Sequence, residues 1–310
     1  MLMVATAAAL FGTLSYITRG AEQVGMGAFP LVWWRGLVGT AVMLLVSGLF
    51  TLRAHRTGVI GAAWLPRANG RRLLIASLLG AAVNIAMFAA FVKTTIAVVL
   101  IAFYTFPALV TLLAVPLYGE RLTRVRLGAL ALSAAGLVLV VLSPLLSDTA
   151  VLLDPVGIAL ALGAAVCQAG FILMAGRGFA PLSPARVATY AIFAAAAVAL
   201  ALALVAGDIA GLTVPLREPQ AWIWILLGGI TGAAIPTTAF VTGIGLIGPS
   251  RAAILMTLEP LVAITLAALL LKEQPSPLQF LGGVAVLAAA VILQLVPSRV
   301  APEPEFGRLV

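Results

Sequence analysis

The sequence predicts an all-α integral membrane protein in which ten transmembrane helices form two inverted five-helix repeats. Three observations carry that expectation. The chain is 63% hydrophobic and 9% charged, whereas soluble domains run near ~45–50% apolar and ~25% charged. Its apolar segments approach the ~20 residues that cross a ~30 Å hydrocarbon core, and polar or Pro/Gly-rich stretches separate them; a barrel would show alternating segments of ~10 residues instead. One stretch also occurs twice. In Ala97 to Glu120 an apolar run carries Pro107, ends at Glu120 and gives way to Arg121-Leu122-Thr123-Arg124. In Ser250 to Glu273 the same spacing separates Pro260 from Glu273, followed by Gln274-Pro275-Ser276-Pro277.

At the offset of 153 residues (260 − 107), Ile101/Ile254, Leu113/Leu266, Ala114/Ala267 and Leu117/Leu270 also coincide, and the proline and the glutamate are the informative matches because they are rare in so apolar a chain. After a one-residue shift the likeness continues, with Leu127-Gly128 against Leu281-Gly282. The expected repeats are residues 1–147 and 154–297, with a cytoplasmic tail at 298–310 whose last residues, Glu305 to Val310, are readable as a cloning remnant.

In chain order the expected spans are Met3 to Thr18, Pro30 to Phe50, Leu73 to Val92, Thr95 to Tyr118, Arg126 to Leu142, Pro155 to Gly176, Pro184 to Ala206, Trp222 to Gly243, Arg251 to Leu271, and Leu278 to Val296. The first is read as a helix rather than a signal peptide, since no basic stretch precedes it and Arg19-Gly20-Ala21-Glu22 is a poor cleavage site. Lys and Arg are retained on the cytoplasmic side. With the N-terminus inside, the cytoplasmic segments hold Arg53, Arg56, Arg67, Arg71, Arg72, Arg121, Arg124, Arg126, Arg177, Arg186, Arg251, Arg299 and Arg308. The opposite side holds only Arg19, Lys93, Arg217 and Lys272. Both termini are therefore expected to be cytoplasmic, and with five spans per half the halves are inverted, the layout in which solute sites lie near the midplane between repeats.

Several motifs carry a likeness to known proteins: Ala7-Ala8-Ala9-Leu10-Phe11-Gly12 ending at Arg19, the Pro30 to Arg35 start of the second span, Pro107 with Gly119-Glu120, and Glu259-Pro260 with Lys272-Glu273. In order and spacing they resemble the drug/metabolite transporter superfamily, as two tandem EamA-type units. Within it, Thr13 to Gly20 and Phe103-Tyr104-Thr105-Phe106-Pro107 look like the YddG branch of amino-acid exporters, although Phe103 and Phe106 stand where that branch carries Asn and Trp and Glu259 is closer to the generic family. The resemblance implies a secondary transporter of a bacterial inner membrane that exports amino acids or related small metabolites or drugs by alternating access.

The residues themselves point to a cavity. Pro107 and Pro260 each remove a backbone donor, so carbonyls near Phe103 and Met256 lose their helical partners and are tolerated in lipid only where protein or a water-filled space satisfies them; the plain alternative is a packing kink. Glu259 lies eight residues past Arg251 (259 − 251), roughly 12 Å along a helix rising ~1.5 Å per residue. An acid at that depth costs on the order of 2.5–3.5 kcal/mol and usually faces a cavity, a partner or a proton path. Arg35, five residues after Pro30, is close enough to the outer surface for its side chain to snorkel outward, which is the favoured reading; a pairing with Glu259 would have to bridge a depth gap of about 10 Å.

The expected cavity residues are Asn84, Phe88, Phe103, Tyr104, Phe106, Gln168, Met256 and Glu259, with Phe171, Tyr190 and Thr237 at similar depth. Asn84 and Phe88 share a helix face at i, i+4. Apolar walls with a few polar groups suit a small amphipathic solute. Trp33 and Trp34 fall near an interface, where tryptophan is an ordinary anchor. The single cysteine, Cys167, and the single histidine, His55, exclude an internal disulfide and a multi-cysteine or multi-histidine metal site. No P-loop is present, and neither a cofactor nor a nucleic-acid partner is expected. A nucleotide-sugar or sugar-phosphate exchanger is the alternative, and would require several cations where only Arg35 and Lys93 are available. An intramembrane enzyme would need a second catalytic group beside Glu259.

Overall fold

The structure, a computed structural model, describes residues 1–56, 67–94, 96–120, 122–142, 154–180, 182–270 and 276–295. The expected tail at 298–310, Lys272 and Glu273 fall outside these, and Phe88 and His55 are described only as backbone within their helices.

Helices α1 (Leu2–Gly12) and α2 (Leu14–Gln23) run together through Thr13, followed by α3 (Ala28–Arg56) and α4 (Arg67–Lys93). The next rod is broken into α5 (Ile96–Phe103) and α6 (Phe106–Tyr118); α7 (Arg124–Leu142), α8 (Pro155–Gly176) and α9 (Pro184–Val205) are continuous. A short α10 (Ile209–Arg217) leads into α11 (Ala221–Gly229), which passes through a π-helical turn at Ile230–Ala234 into α12 (Ile235–Ile247). A second broken rod, α13 (Pro249–Leu255) and α14 (Leu258–Leu270), precedes α15 (Pro277–Leu295).

Joined across their breaks, these segments make eleven helical rods among the described residues, with no strand. Seven are long and apolar enough to cross a membrane. Large apolar side chains such as Leu74, Leu78, Leu112, Val166, Phe193 and Leu226 are exposed on the rods' outer faces, as helices apolar on all sides require when their surroundings are lipid.

The rod count corrects the expectation of ten helices, and the additional one is α10. Nine residues are too few to span, and Gly207 and Pro219 on either side read as loop punctuation. Three contacts hold it. Asp208 accepts from the Gly211 N–H at 2.9 Å as an N-cap, the Trp34 indole donates to the Leu212 carbonyl at 2.9 Å, and the Trp222 indole donates to the Pro215 carbonyl at 3.1 Å. Local chemistry starts other helices in the same way. Asp154 accepts from Val156 and Gly157 ahead of α8, and Ser183 accepts from Arg186 ahead of α9, each followed by a proline that needs no donor there.

Between helices the limiting feature is close approach at small residues, as expected where hydrophobicity gives no preference for helix over lipid. A Cβ on Gly136 of α7 would lie 2.6 Å from the Gly282 carbonyl oxygen of α15, and one on Gly36 of α3 would lie 2.6 Å from Ala196 Cβ of α9. Gly12 of α1 meets the Glu259 backbone carbonyl of α14 at 2.8 Å by the same measure. The largest core cluster joins Val4, Ala7 and Ala8 of α1 to Phe106 and Val110 of α6, Ile172 and Ala175 of α8, Ile244 of α12 and Leu255 of α13.

One end of this core is tied by polar contacts. Glu120 pairs with Arg126 at 2.9 Å, the Tyr118 hydroxyl donates to the Leu173 carbonyl, and Arg72 donates to the Gly178 carbonyl at 3.3 Å. Gly136→Leu is expected to force α7 and α15 apart and to lower stability by about 1–3 kcal/mol. Thermal unfolding of the purified protein in detergent measures it, with Gly163→Ala, which has open space at its Cβ, as the unaffected comparison.

Candidate functional site

Both broken rods break in the same way. At Tyr104-Thr105 the Thr105 hydroxyl donates to the Ala102 carbonyl at 2.7 Å, and at Met256-Thr257 the Thr257 hydroxyl donates to the Ile254 carbonyl at 2.7 Å. Each hydroxyl satisfies a carbonyl three residues back in place of the helical ladder. Pro107 and Pro260 therefore do not kink continuous helices. They occupy the first turns of α6 and α14, where a missing N–H costs nothing. Glu259 falls in the first turn of α14, where a negative charge is favoured by the helix dipole.

A cavity of about 250 Å³ lies between α1, α3, α4, α8, α9, the π-helical turn, α12 and the two breaks. Five expected residues line it: Asn84, Phe103, Gln168, Met256 and Glu259, together with Phe171 and Thr237. The walls are otherwise apolar, from Phe11, Leu14, Val32, Ile192 and Phe240 among others. Phe171 and Phe240 stack with centroids 6.5 Å apart. Asn84 Nδ2 donates to the Gly80 carbonyl one turn earlier at 3.1 Å.

Tyr104 and Phe106 do not line the cavity. Phe106 is 1% exposed and buried in the main core. Tyr104 is buried behind the wall, its ring against Phe103 and Phe106 and its hydroxyl close to the Glu259 carboxylate. Its place is thus one layer back, holding the acid rather than facing solute. Tyr190 faces outward, 51% exposed. Phe88 lies on α4 with Asn84, but its side chain is outside the described residues.

Arg35 is the largest departure. It does not snorkel to the surface but lines the same cavity as Glu259, and Nη1 donates to the Gly232 carbonyl at 3.2 Å. The physical reason is a single proline. Residue 236 would supply the α-helical donor to Gly232, but Pro236 has no N–H, and the helix widens into the π-helical turn just before it. A guanidinium fills that vacancy. Arg35 and Glu259 share the cavity without forming an ion pair. The sequence signal that could have located Arg35 is the Gly232/Pro236 spacing, which leaves an acceptor in need of a donor from another helix.

Chemically the site offers one carboxylate, one guanidinium, two carboxamides and a hydroxyl set in apolar walls. Among the described residues no group of three His, Cys, Asp or Glu side chains is placed to hold a metal. The arrangement can bind and orient a small solute.

Comparison with known families agrees. The model of the EamA-like transporter family matches residues 1–142 and 155–295. This chain belongs to the EamA-like transporter family. A protein of known crystal structure superposes with a TM-score of 0.75 at 20% identity, covering 96% of this chain and 98% of its own, which shows a shared fold. No match is found among the curated proteins. As an EamA-like protein the chain is a multi-pass membrane protein of a small-molecule transporter family.

The two aromatic residues behind the wall are expected to separate by readout. Phe106→Ala should cost about 3–5 kcal/mol of stability as a core truncation, seen as a lower Tm. Tyr104→Phe should leave Tm nearly unchanged and alter transport through the hydroxyl lost beside Glu259, a change in KM or rate in proteoliposomes that Phe106→Ala does not reproduce once normalised to folded protein.

Proposed function

We propose that this EamA-like protein is a secondary transporter that exports amino acids or related small metabolites or drugs across a bacterial inner membrane by alternating access. The single observation that carries this is the cavity itself: a carboxylate and a guanidinium facing one apolar space, bordered by two helix breaks of the same form. Its size, about 250 Å³, is below the ~300–1,000 Å³ of pockets for drug-sized ligands, which favours a solute of amino-acid dimensions. Two inverted five-helix repeats, over 1–147 and 154–297, are the reading that accounts for both the recurring proline and glutamate and the two family-model matches. The excess of Arg and Lys in the loops on one side supports the reading that both termini are cytoplasmic. A periplasmic readout from a C-terminal reporter would overturn that orientation.

The YddG-type amino-acid exporters are the branch we favour, on the likeness of Thr13 to Gly20 and of Phe103 to Pro107, whose Tyr104 lies close to the cavity carboxylate. A nucleotide-sugar or sugar-phosphate exchanger is less well supported. Among the described residues lining the cavity Arg35 is the only cation, and Lys93 is exposed at the end of α4.

Glu259 is the proposed coupling group, exchanging a proton for solute as the cavity opens to either side. Glu259→Gln keeps shape and hydrogen bonding while removing the titration. Flux driven by a pH gradient in proteoliposomes, assayed with a panel of labelled amino acids, should collapse in this variant while gradient-independent exchange survives. A glutamine variant that still concentrates solute in response to the gradient as the parent does would assign Glu259 a structural role. Loss of exchange as well would make it a counter-charge for the solute's amine.

A further inference from the structure

We propose that Arg35 is the anion-recognising residue of the central cavity and that the solutes it admits carry a carboxylate. The inference deepens the reading of the cavity as a solute site and rests on it. A guanidinium has five N–H donors in a rigid planar fork. Among the described residues Arg35 has one hydrogen-bond acceptor, the Gly232 carbonyl at 3.2 Å, and no carboxylate within 4 Å.

A cation taken out of water is stable only when it is paired or well hydrogen-bonded. One neutral carbonyl leaves most of that requirement to whatever enters the cavity. An anion with two oxygens in a plane meets it best, since arginine and carboxylate form two parallel hydrogen bonds.

The position is built rather than incidental. α11 and the π-helical turn present Gly228, Gly229 and Gly232 to α3. A Cβ on Gly228 would lie 3.3 Å from Arg35 Cβ, one on Gly229 would lie 3.0 Å from the Arg35 carbonyl oxygen, and one on Gly232 would lie 3.5 Å from Nη1. These glycines let α3 lie close against α11 and clear a slot along which the side chain passes to the cavity. The carbonyl freed by Pro236 holds the guanidinium there in the absence of solute. An incoming carboxylate takes the remaining donors, and Glu259, with Tyr104 behind it, is left for the solute's other pole.

Binding to the purified full-length protein, read by calorimetry or ligand-induced shift in Tm, tests this with two matched sets. One is phenylalanine, phenylalaninamide, 3-phenylpropionate and phenethylamine; the other is leucine, leucinamide, 4-methylpentanoate and isopentylamine. The carboxylate-bearing members are expected to bind the parent protein best. Arg35→Gln is expected to weaken them roughly 10- to 100-fold, as for loss of a hydrogen bond to a charged group, and to leave the amides and amines unchanged. Arg35→Lys keeps a charge and a donor for Gly232 but not the fork, and should fall between; if the glutamine variant does not fold, the lysine variant decides by the same comparison.

Amides or amines that bind the parent as well as their carboxylate counterparts, or an Arg35 variant that keeps the carboxylate preference, overturn the assignment while the small-solute reading stands. If neither set binds the parent, the amino-acid-sized solute reading fails and this inference fails with it.

Discussion

Inside a bilayer no water is available to a backbone group that loses its helical partner, so every departure from regular helix has to be satisfied by protein or face a cavity. The rest of this molecule is arranged around that constraint. Besides the turns at Thr13 and Gly248, three of its irregular points are the turn at Tyr104-Thr105, the turn at Met256-Thr257 and the π-helical turn at Ile230–Ala234. Each has an identifiable donor: a threonine hydroxyl at the first two and the Arg35 guanidinium at the third. All three border the same cavity, through Phe103, Met256 and Gly232. Three departures from regular helix and the two charged residues of the cavity, Arg35 and Glu259, therefore meet in one place.

Close packing makes that concentration possible. Gly12 lets α1 rest on the backbone at Glu259, and Gly36 lets α3 rest on α9 one residue after Arg35. The two charged residues of the cavity thus project from stretches whose backbones are fixed by neighbouring helices. Tyr104 adds a hydroxyl behind the carboxylate, placed by its ring contacts with Phe103 and Phe106. A polar group supported in this way is held in position rather than left to find a partner among solute and lipid.

Much of this was legible in the sequence, and the remainder was hidden for definable reasons. Composition gave the class, the recurrence of Pro107 and Pro260 at one spacing marked both breaks, and the scarcity of acids marked Glu259. Asn84, Gln168, Phe103 and Met256 were locatable because polar or large residues at mid-span depth stand out. Direction was not readable. A helix apolar on all sides carries no amphipathic stripe to say which face is inward, so Phe106 and Tyr190 looked equivalent to Phe103, although one is core and the other lipid-facing. Arg35 was misplaced because depth counted along a straight helix ignores the acceptor that Pro236 opens on a helix almost two hundred residues away (232 − 35 = 197). The helix α10 escaped because it is set by a cap and two indole contacts rather than by hydropathy.

Gly248 has a mechanical consequence. It alone separates Ile247, the last residue of α12, from Pro249, the first of α13, and its φ of 85° is a conformation that other residues rarely adopt. A one-residue elbow leaves little separation between α12 and α13, and it abuts the Glu120 carboxylate. The next break in the chain is the joint at Met256-Thr257. Glu259 sits two residues beyond that joint, at the foot of α14, so a swing of the arm's far end about the joint would displace the carboxylate very little.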